Sequence, residues 1–392
     1  MKAIIITVIG TITTCFSLFA QNSFDVVLSE VEKNNSTLSA LRKQVDAQKI
    51  GNKTGIYLPN PEFEFNYLWD NPNDFGNRTD ITVTQSFDFP SAYSYKKQIT
   101  DARNEQVELE YQKQKKAILL QSRLICMDLI YINALQDEFV KRVNNAQVIA
   151  DAYNAKFEKG ETNIIDNNKA QLNLLNIRKE AEVLEINRNA LLSELTLLNG
   201  GTEIQFSDKS YLSPEIPVDF EQWYLLAEQN NPLLNWLKQE IEINQKQEKL
   251  NLAMSLPKMY TGYMSEKIIG QHYQGINLGI SIPLWEHKNT VKYAKAQSTA
   301  MQGIVADSKL NFYHQLKIQH ARAISLRQTV NDYRGQIEIY DNSVFIEKAL
   351  QKGEISLTEY ILELTNYYGS VNKLLEAELE MNQAIAELSQ YL

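Results

Sequence analysis

Apolar positions along this chain alternate between two periods, and the alternation occurs twice. Over 25–56, Val27, Leu28, Val31, Leu38, Leu41 and Val45 recur at three- and four-residue spacing, which predicts an amphipathic helix. Pro59 and Pro61 end it. The period then drops to two, so that Phe63, Phe65, Tyr67 and Trp69 share one face of a strand. Past a polar loop at 70–78, Ile81, Val83, Phe87 and Phe89 line one face of a second strand, with Thr82, Thr84, Ser86 and Asp88 on the other. Pro90 closes it, and 61–90 reads as a β-hairpin.

Helical period returns over 91–213, a run without proline. Ile118, Ile125, Ile132, Phe139, Ala146 and Tyr153 repeat every seven residues, and Leu129, Val143, Ala150 and Phe157 form a second row, together a coiled-coil seam. A helix over 93–158 would be roughly 100 Å long at about 1.5 Å per residue. It is broken at Lys159-Gly160-Glu161, where Gly160 is the only glycine between Gly76 and Gly200. A lone glycine in such a run reads as the tight turn of a helical hairpin, because glycine enters left-handed conformations without strain. The seam resumes at Ile177, Leu184, Leu191 and Leu198 and stops at Gly200-Gly201. The segment 202–220, with Pro214 and Pro217, reads as a linker.

The same order then repeats. Asn230-Asn231-Pro232 echoes Asn34-Asn35-Ser36, and helical sequence to Ala253 is stopped by Pro257. Strands over 259–266 and 275–282, across a loop at 267–274, form a second hairpin within 258–283. Ile276, Leu278, Ile280 and Ile282 face one way. Pro283 takes the part of Pro90, and a proline-free run over 284–392 carries the tip Lys352-Gly353-Glu354. Pro90 to Gly160 and Pro283 to Gly353 both span 70 positions, which predicts two helices of equal length whose tips end at one level. A solvated loop tolerates length drift; a rod does not. The chain therefore divides into 1–20, a first repeat over 21–220 and a second over 221–392.

Composition sharpens this outline. Met1-Lys2 and the apolar run that follows read as a secretory signal cleaved after Ala20. Ile12-Thr13-Thr14 before Cys15 makes a poor lipid-attachment site, so no lipid anchor is expected. Cleavage leaves Cys126 as the single cysteine and no internal disulfide. The net charge of −9, without a basic cluster, argues against a nucleic-acid partner. No later stretch is an uninterrupted apolar run of about 18 residues, so any membrane crossing must use strands. His272, His287, His314 and His320 show no metal-ligand spacing, and phosphate-loop, zinc-protease and nucleophile-elbow motifs are missing. Neither an enzyme nor a cofactor or metal is expected.

An isolated two-stranded hairpin is marginal in water, and open strand edges are prohibitive in lipid. Four strands cannot close a barrel, since about eight is the small end, whereas a trimer supplies twelve. Trp69 lies at the loop end of the strands; Phe87, Phe89, Tyr93, Tyr95 and Trp285 lie at the proline end, where aromatic rims are expected.

The duplicated order, the junction prolines Pro59/Pro61, Pro90, Pro257 and Pro283, and the two Lys-Gly-Glu tips resemble the TolC-type outer-membrane efflux channels over nearly the whole mature chain. The resemblance implies a mainly α homotrimer. Its antiparallel coiled-coil hairpins would form an α-barrel tunnel across the periplasm, and its four strands per protomer a twelve-stranded barrel in the outer membrane. It implies an exit duct, for efflux or type I secretion, that docks its tips (Lys159, Gly160, Glu161, Lys352, Gly353, Glu354) on a periplasmic adaptor bound to an inner-membrane pump. It also implies a constriction acid six positions after each tip glycine, here Asp166 and Glu359. A further acid is common nine positions after the second glycine, where this chain has Leu362 with Glu363 beside it. Short loops are similar to the heavy-metal-efflux branch. The competing reading is a periplasmic coiled-coil adaptor or scaffold without a barrel; an adaptor is expected to carry one helical hairpin rather than two.

Overall fold

The computed structural model describes residues 23–71, 76–212 and 215–391. The signal segment, Cys15, part of the 70–78 loop and Pro214 lie outside the described residues.

The first helical stretch is two helices, α1 (Ser23–Asn34) and α2 (Ser36–Gly51), rather than one over 25–56. Asn35 divides them. Its side-chain oxygen accepts the Leu38 N–H at 2.8 Å, capping α2, while its Nδ2 donates to Leu198 O at 2.7 Å. An asparagine that caps one helix and ties off another cannot continue a third. The hairpin follows as β1 (Glu62–Leu68) and β2 (Arg78–Phe87). Pro90 then occupies the first turn of α3 (Pro90–Glu158), a single 69-residue helix, where its fixed φ and missing N–H cost nothing. α4 (Ile164–Leu198) returns along it. By length and composition α3 contains one window apolar enough to cross a membrane. Ile125, Cys126, Leu129 and Ile130 of α3 are instead packed in a core with Val27, Val31, Leu195, Ile204 and Phe206.

Past the linker come α5 (Phe220–Asn230) and α6 (Pro232–Met254), divided by Asn231, which caps α6 through Leu233 and Leu234. β3 (Lys258–Ile268) and β4 (Gln271–Ser281) pair up to a two-residue turn at Ile269-Gly270, so the expected loop at 267–274 is mostly strand. Gly270 takes φ +76°, which lets a two-residue turn close the ladder, and pairing continues through polar residues that read as loop.

The second arm departs further from expectation. Its helices are α7 (Thr290–Ile339), α8 (Ser343–Gln351) and α9 (Leu357–Ser389), so the equal spacing from Pro283 to Gly353 does not hold a matching continuous helix. Pro283 is not at a helix start. Turns at 284–289 intervene, with Lys288 N donating to Trp285 O and Lys258 Nζ bound to Glu286 at 3.0 Å; Asn289 enters α7 from a left-handed φ of +68°. The arm breaks again at 340–342, where Asp341 accepts the Ser343 N–H at 3.0 Å.

Lateral packing joins the two halves. α3 packs on α4 and α6, and α7 on α6 and α9. A core of Trp223, Tyr224, Leu234, Phe312, Leu316 and Ile385 fastens α5, α6, α7 and α9. The seam row Ile125, Ile132, Phe139 and Ala146 is buried as the heptads predict. In the second row Leu129 and Ala150 are buried, but Phe157 is 39% exposed.

Candidate functional site

Two regions carry the chemistry, one at each end of the rods. At one end the four strands form an antiparallel sheet in the order β1-β2-β3-β4, the hairpins joined by β2 and β3. The ladder aligns Phe63 with Val83, Tyr263 and Ile276, and Phe87 with Met259 and Ile280. Strand alternation therefore gathers these residues on one face, together with Phe65, Ile81 and Leu278. That face is solvent-exposed: Phe63 by 70% and Ile276 by 80%. Glu62, Glu64, Asn66, Thr82, Thr84, Ser86, Asn277 and Ser281 lie on the other face. There Arg78 lies between Asp80 (2.8 Å) and Glu266 (3.3 Å), offsetting two carboxylates on adjacent strands. Among the described residues the outer edges of β1 and β4 have no partner strand.

Both junctions of the first hairpin are tied down. Pro59 O accepts from Gln85 Nε2 at 2.8 Å; Tyr93 Oη accepts the Asp88 N–H, and Lys96 pairs with Asp88 at 2.8 Å. Pro61 precedes β1 and Pro257 precedes β3. Trp69 and Trp285 are each 79% exposed, at opposite ends of the sheet.

At the other end the two tips are built alike. Gly160 has φ +73° and Gly353 +74°. Gly160 N donates to Phe157 O and Glu161 N to Lys156 O; Gly353 N donates to Leu350 O and Glu354 N to Ala349 O. Each is a Schellman turn, whose left-handed position glycine fills without a Cβ clash. Lys159, Glu161, Lys352 and Glu354 are exposed, the last two only 3.9 Å apart. The tips pack side by side: Ala146, Ala150, Ala170 and Leu174 share a core with Leu350, Leu357, Tyr360 and Leu364, and Lys169 reaches Thr358 at 3.1 Å.

The acids after each tip sit at the third position of their helices and bond to the capping residues Asn163 and Ser356. Asn163 accepts the Asp166 N–H and donates Nδ2 to Asp166 Oδ2, both at 2.9 Å. Ser356 and Glu359 form a capping box, with Glu359 Oε2 accepting from Ser356 N and Oγ at 2.8 Å each. The Ser356 backbone N–H and then its hydroxyl hold the Glu359 carboxyl below its ordinary pKa. Glu363 is exposed one helical turn later, on the same face as Glu359. Asp166 and Glu359 each bond within their own cap, and the structure does not join them to each other.

Two features escaped the sequence reading. The break at 340–342 was legible in Asp341-Asn342-Ser343, which is helix-start chemistry set inside a proline-free run. Arg142, buried between the arms, left no signal, since it neighbours the seam position of Val143.

No family model matches the sequence, and no curated protein matches it. Solved structures do match. The Campylobacter jejuni CmeC outer membrane channel is 12% identical with a TM-score of 0.78, over 94% of this chain and 85% of that one. The Neisseria gonorrhoeae MtrE outer membrane channel, in its open state, gives 11% and 0.72 over 94% and 88%. The Vibrio cholerae outer membrane protein VceC gives 11% and 0.73 over 94% of each. At such identities the likeness shows a shared fold.

Proposed function

We propose that this chain is a TolC-type outer-membrane exit duct. Three copies would close a twelve-stranded barrel in outer-membrane lipid and continue it as a helical tunnel through the periplasm. The carrying observation is the four-stranded sheet, which exposes an apolar face and leaves both outer edges unpaired. Such a sheet is unfavourable in water and in lipid until its edges meet those of further copies. The polar opposite face would line a wet lumen. Shared fold with outer-membrane channels supports the reading, and an adaptor or scaffold reading leaves the sheet unexplained.

In this reading 1–20 directs export, and 21–220 and 221–392 are two copies of one unit. The tips, side by side and exposed, suit docking on a periplasmic adaptor that couples the duct to an inner-membrane pump. Asp166, Glu359 and Glu363 would ring the narrow end of the tunnel. Substrates pass without chemistry, so no catalytic residue is assigned.

Fractionation followed by detergent extraction tests this. The expected result is an outer-membrane trimer that conducts ions in planar bilayers. A soluble periplasmic monomer would overturn the proposal.

A further inference from the structure

Arg142 sits on α3, 18 residues before Gly160 and so about 27 Å along the helix from the tip. It is 4% exposed. Among the described residues its hydrogen-bond partners are neutral: Nη2 donates to Asn372 Oδ1 at 2.7 Å and to Tyr368 O at 3.5 Å. Its Nε has no partner there. The rings of Phe139 and Tyr368 lie 4.7 and 4.5 Å from the guanidinium carbon and leave its edge as the polar approach. Among the described residues no carboxylate forms an ion pair with it; Glu138, which binds Lys141 at 2.6 Å, and after it Glu180 act on Arg142 only through space. Burial accordingly pushes the guanidinium below its ordinary pKa.

A buried cation without a counter-charge is costly and is normally paired or hydrogen-bonded on every donor. Here the lack of a carboxylate in contact coincides with space. A cavity of about 300 Å³ opens beside Arg142 between α3, α4 and α9. Asn145, Asn173, Asn176, Thr365 and Asn372 line it, a set of neutral amide and hydroxyl donors around one guanidinium. Glu180 at the rim is the one carboxylate in the lining. Guanidinium edges match oxyanions, and amides complete the coordination without adding charge.

We propose that this cavity is a binding site for a small free oxyanion, seated on the edge of Arg142 and ringed by the asparagines. The anion would clasp α3 and α4 of the first arm to α9 of the second, some five turns behind the tips. The site is independent of the membrane reading, because it is complete within one chain and is read by binding alone.

The test titrates inorganic phosphate into the purified full-length protein at constant ionic strength, with chloride as the replaced anion, and follows heat and the thermal midpoint. Expected is saturable binding that raises the midpoint and is weakened at least about tenfold by Arg142→Gln, the loss of a charge-assisted bond. Glu180→Gln, which removes a repelling carboxylate at the mouth, should tighten binding about threefold. Thr365→Asp, an exposed change that leaves Arg142 in place, should weaken it and keeps the test decisive if Arg142→Gln fails to fold. A response that is linear in phosphate and equal in all variants overturns the proposal. So does a silent titration of the unmodified protein.

Discussion

At the scale of single residues, the tip acids show how one carboxylate can serve two ends. Asp166 and Glu359 occupy the third helical position, where backbone N–H groups and the helix dipole favour negative charge. Capping holds Glu359 ionised at neutral pH, so a cap and a charged ring at a tunnel mouth are compatible. Asp166→Ala combined with Glu359→Ala should change cation selectivity or resting conductance in planar bilayers and lower the thermal midpoint slightly. Lost stability with unchanged conductance and selectivity would leave capping as their whole role. A second carboxylate is perturbed in the opposite direction. Burial first, then the Glu194 charge, raises Asp128 to about 6, against a Gln383 hydrogen bond of 2.8 Å that favours ionisation. The folded protein holds this proton more tightly than the unfolded chain. Stability from it is therefore full below the ordinary carboxylate pKa of about 4 and falls as pH rises toward 6. Asp128→Asn should add about 1 kcal/mol at pH 7.5, after allowance for solvent screening, and flatten that dependence, as thermal unfolding at pH 5 and 7.5 would read.

At the scale of elements, the two arms are unequal despite equal spacing. α3 runs unbroken from Pro90 to Glu158, whereas its counterpart starts at Thr290 and breaks at 340–342. Position 340 lies 193 residues after 147, so the break corresponds to uninterrupted helix in α3. Heptad counting could not see it, because a break of three residues changes neither proline content nor overall length. Side-chain competition for backbone N–H groups at Asp341 does what a proline would do elsewhere. Amides at 340–344 should exchange with solvent at least about tenfold faster than those at 147–151, since frayed helix ends open locally at lower free energy. Hydrogen exchange with mass spectrometry checks this, and equal protection would show the arm to be rigid through its break.

At the scale of the whole molecule, the sheet decides the environment. One face presents Phe63, Val83, Tyr263 and Ile276 in a row, the other Glu64 and Thr82. If the first face meets lipid, Val83→Arg costs about 2–4 kcal/mol in the membrane and Thr82→Arg little. Outer-membrane yield of folded trimer should fall for Val83→Arg and hold for Thr82→Arg. Equal yields would mean that neither face is in lipid. The tips, sharing a core through Ala150, Leu350 and Leu357, would stay paired in both variants.

The sequence alone determined the elements whose signal is local and repeated. Period-two strands, the seven-residue seam and the glycine turns all depend on neighbours within one or two turns. Only the tertiary structure decided what depends on distant partners. It showed that Asn35 ends one helix because it also holds the end of another, that β2 joins β3, and that Glu359 is drawn into a cap. It also showed that Arg142, one residue from a seam position, is buried beside a cavity formed by three helices far apart in the chain. Burial and charge pairing are set by what folds back against a residue, and spacing along one helix does not encode that.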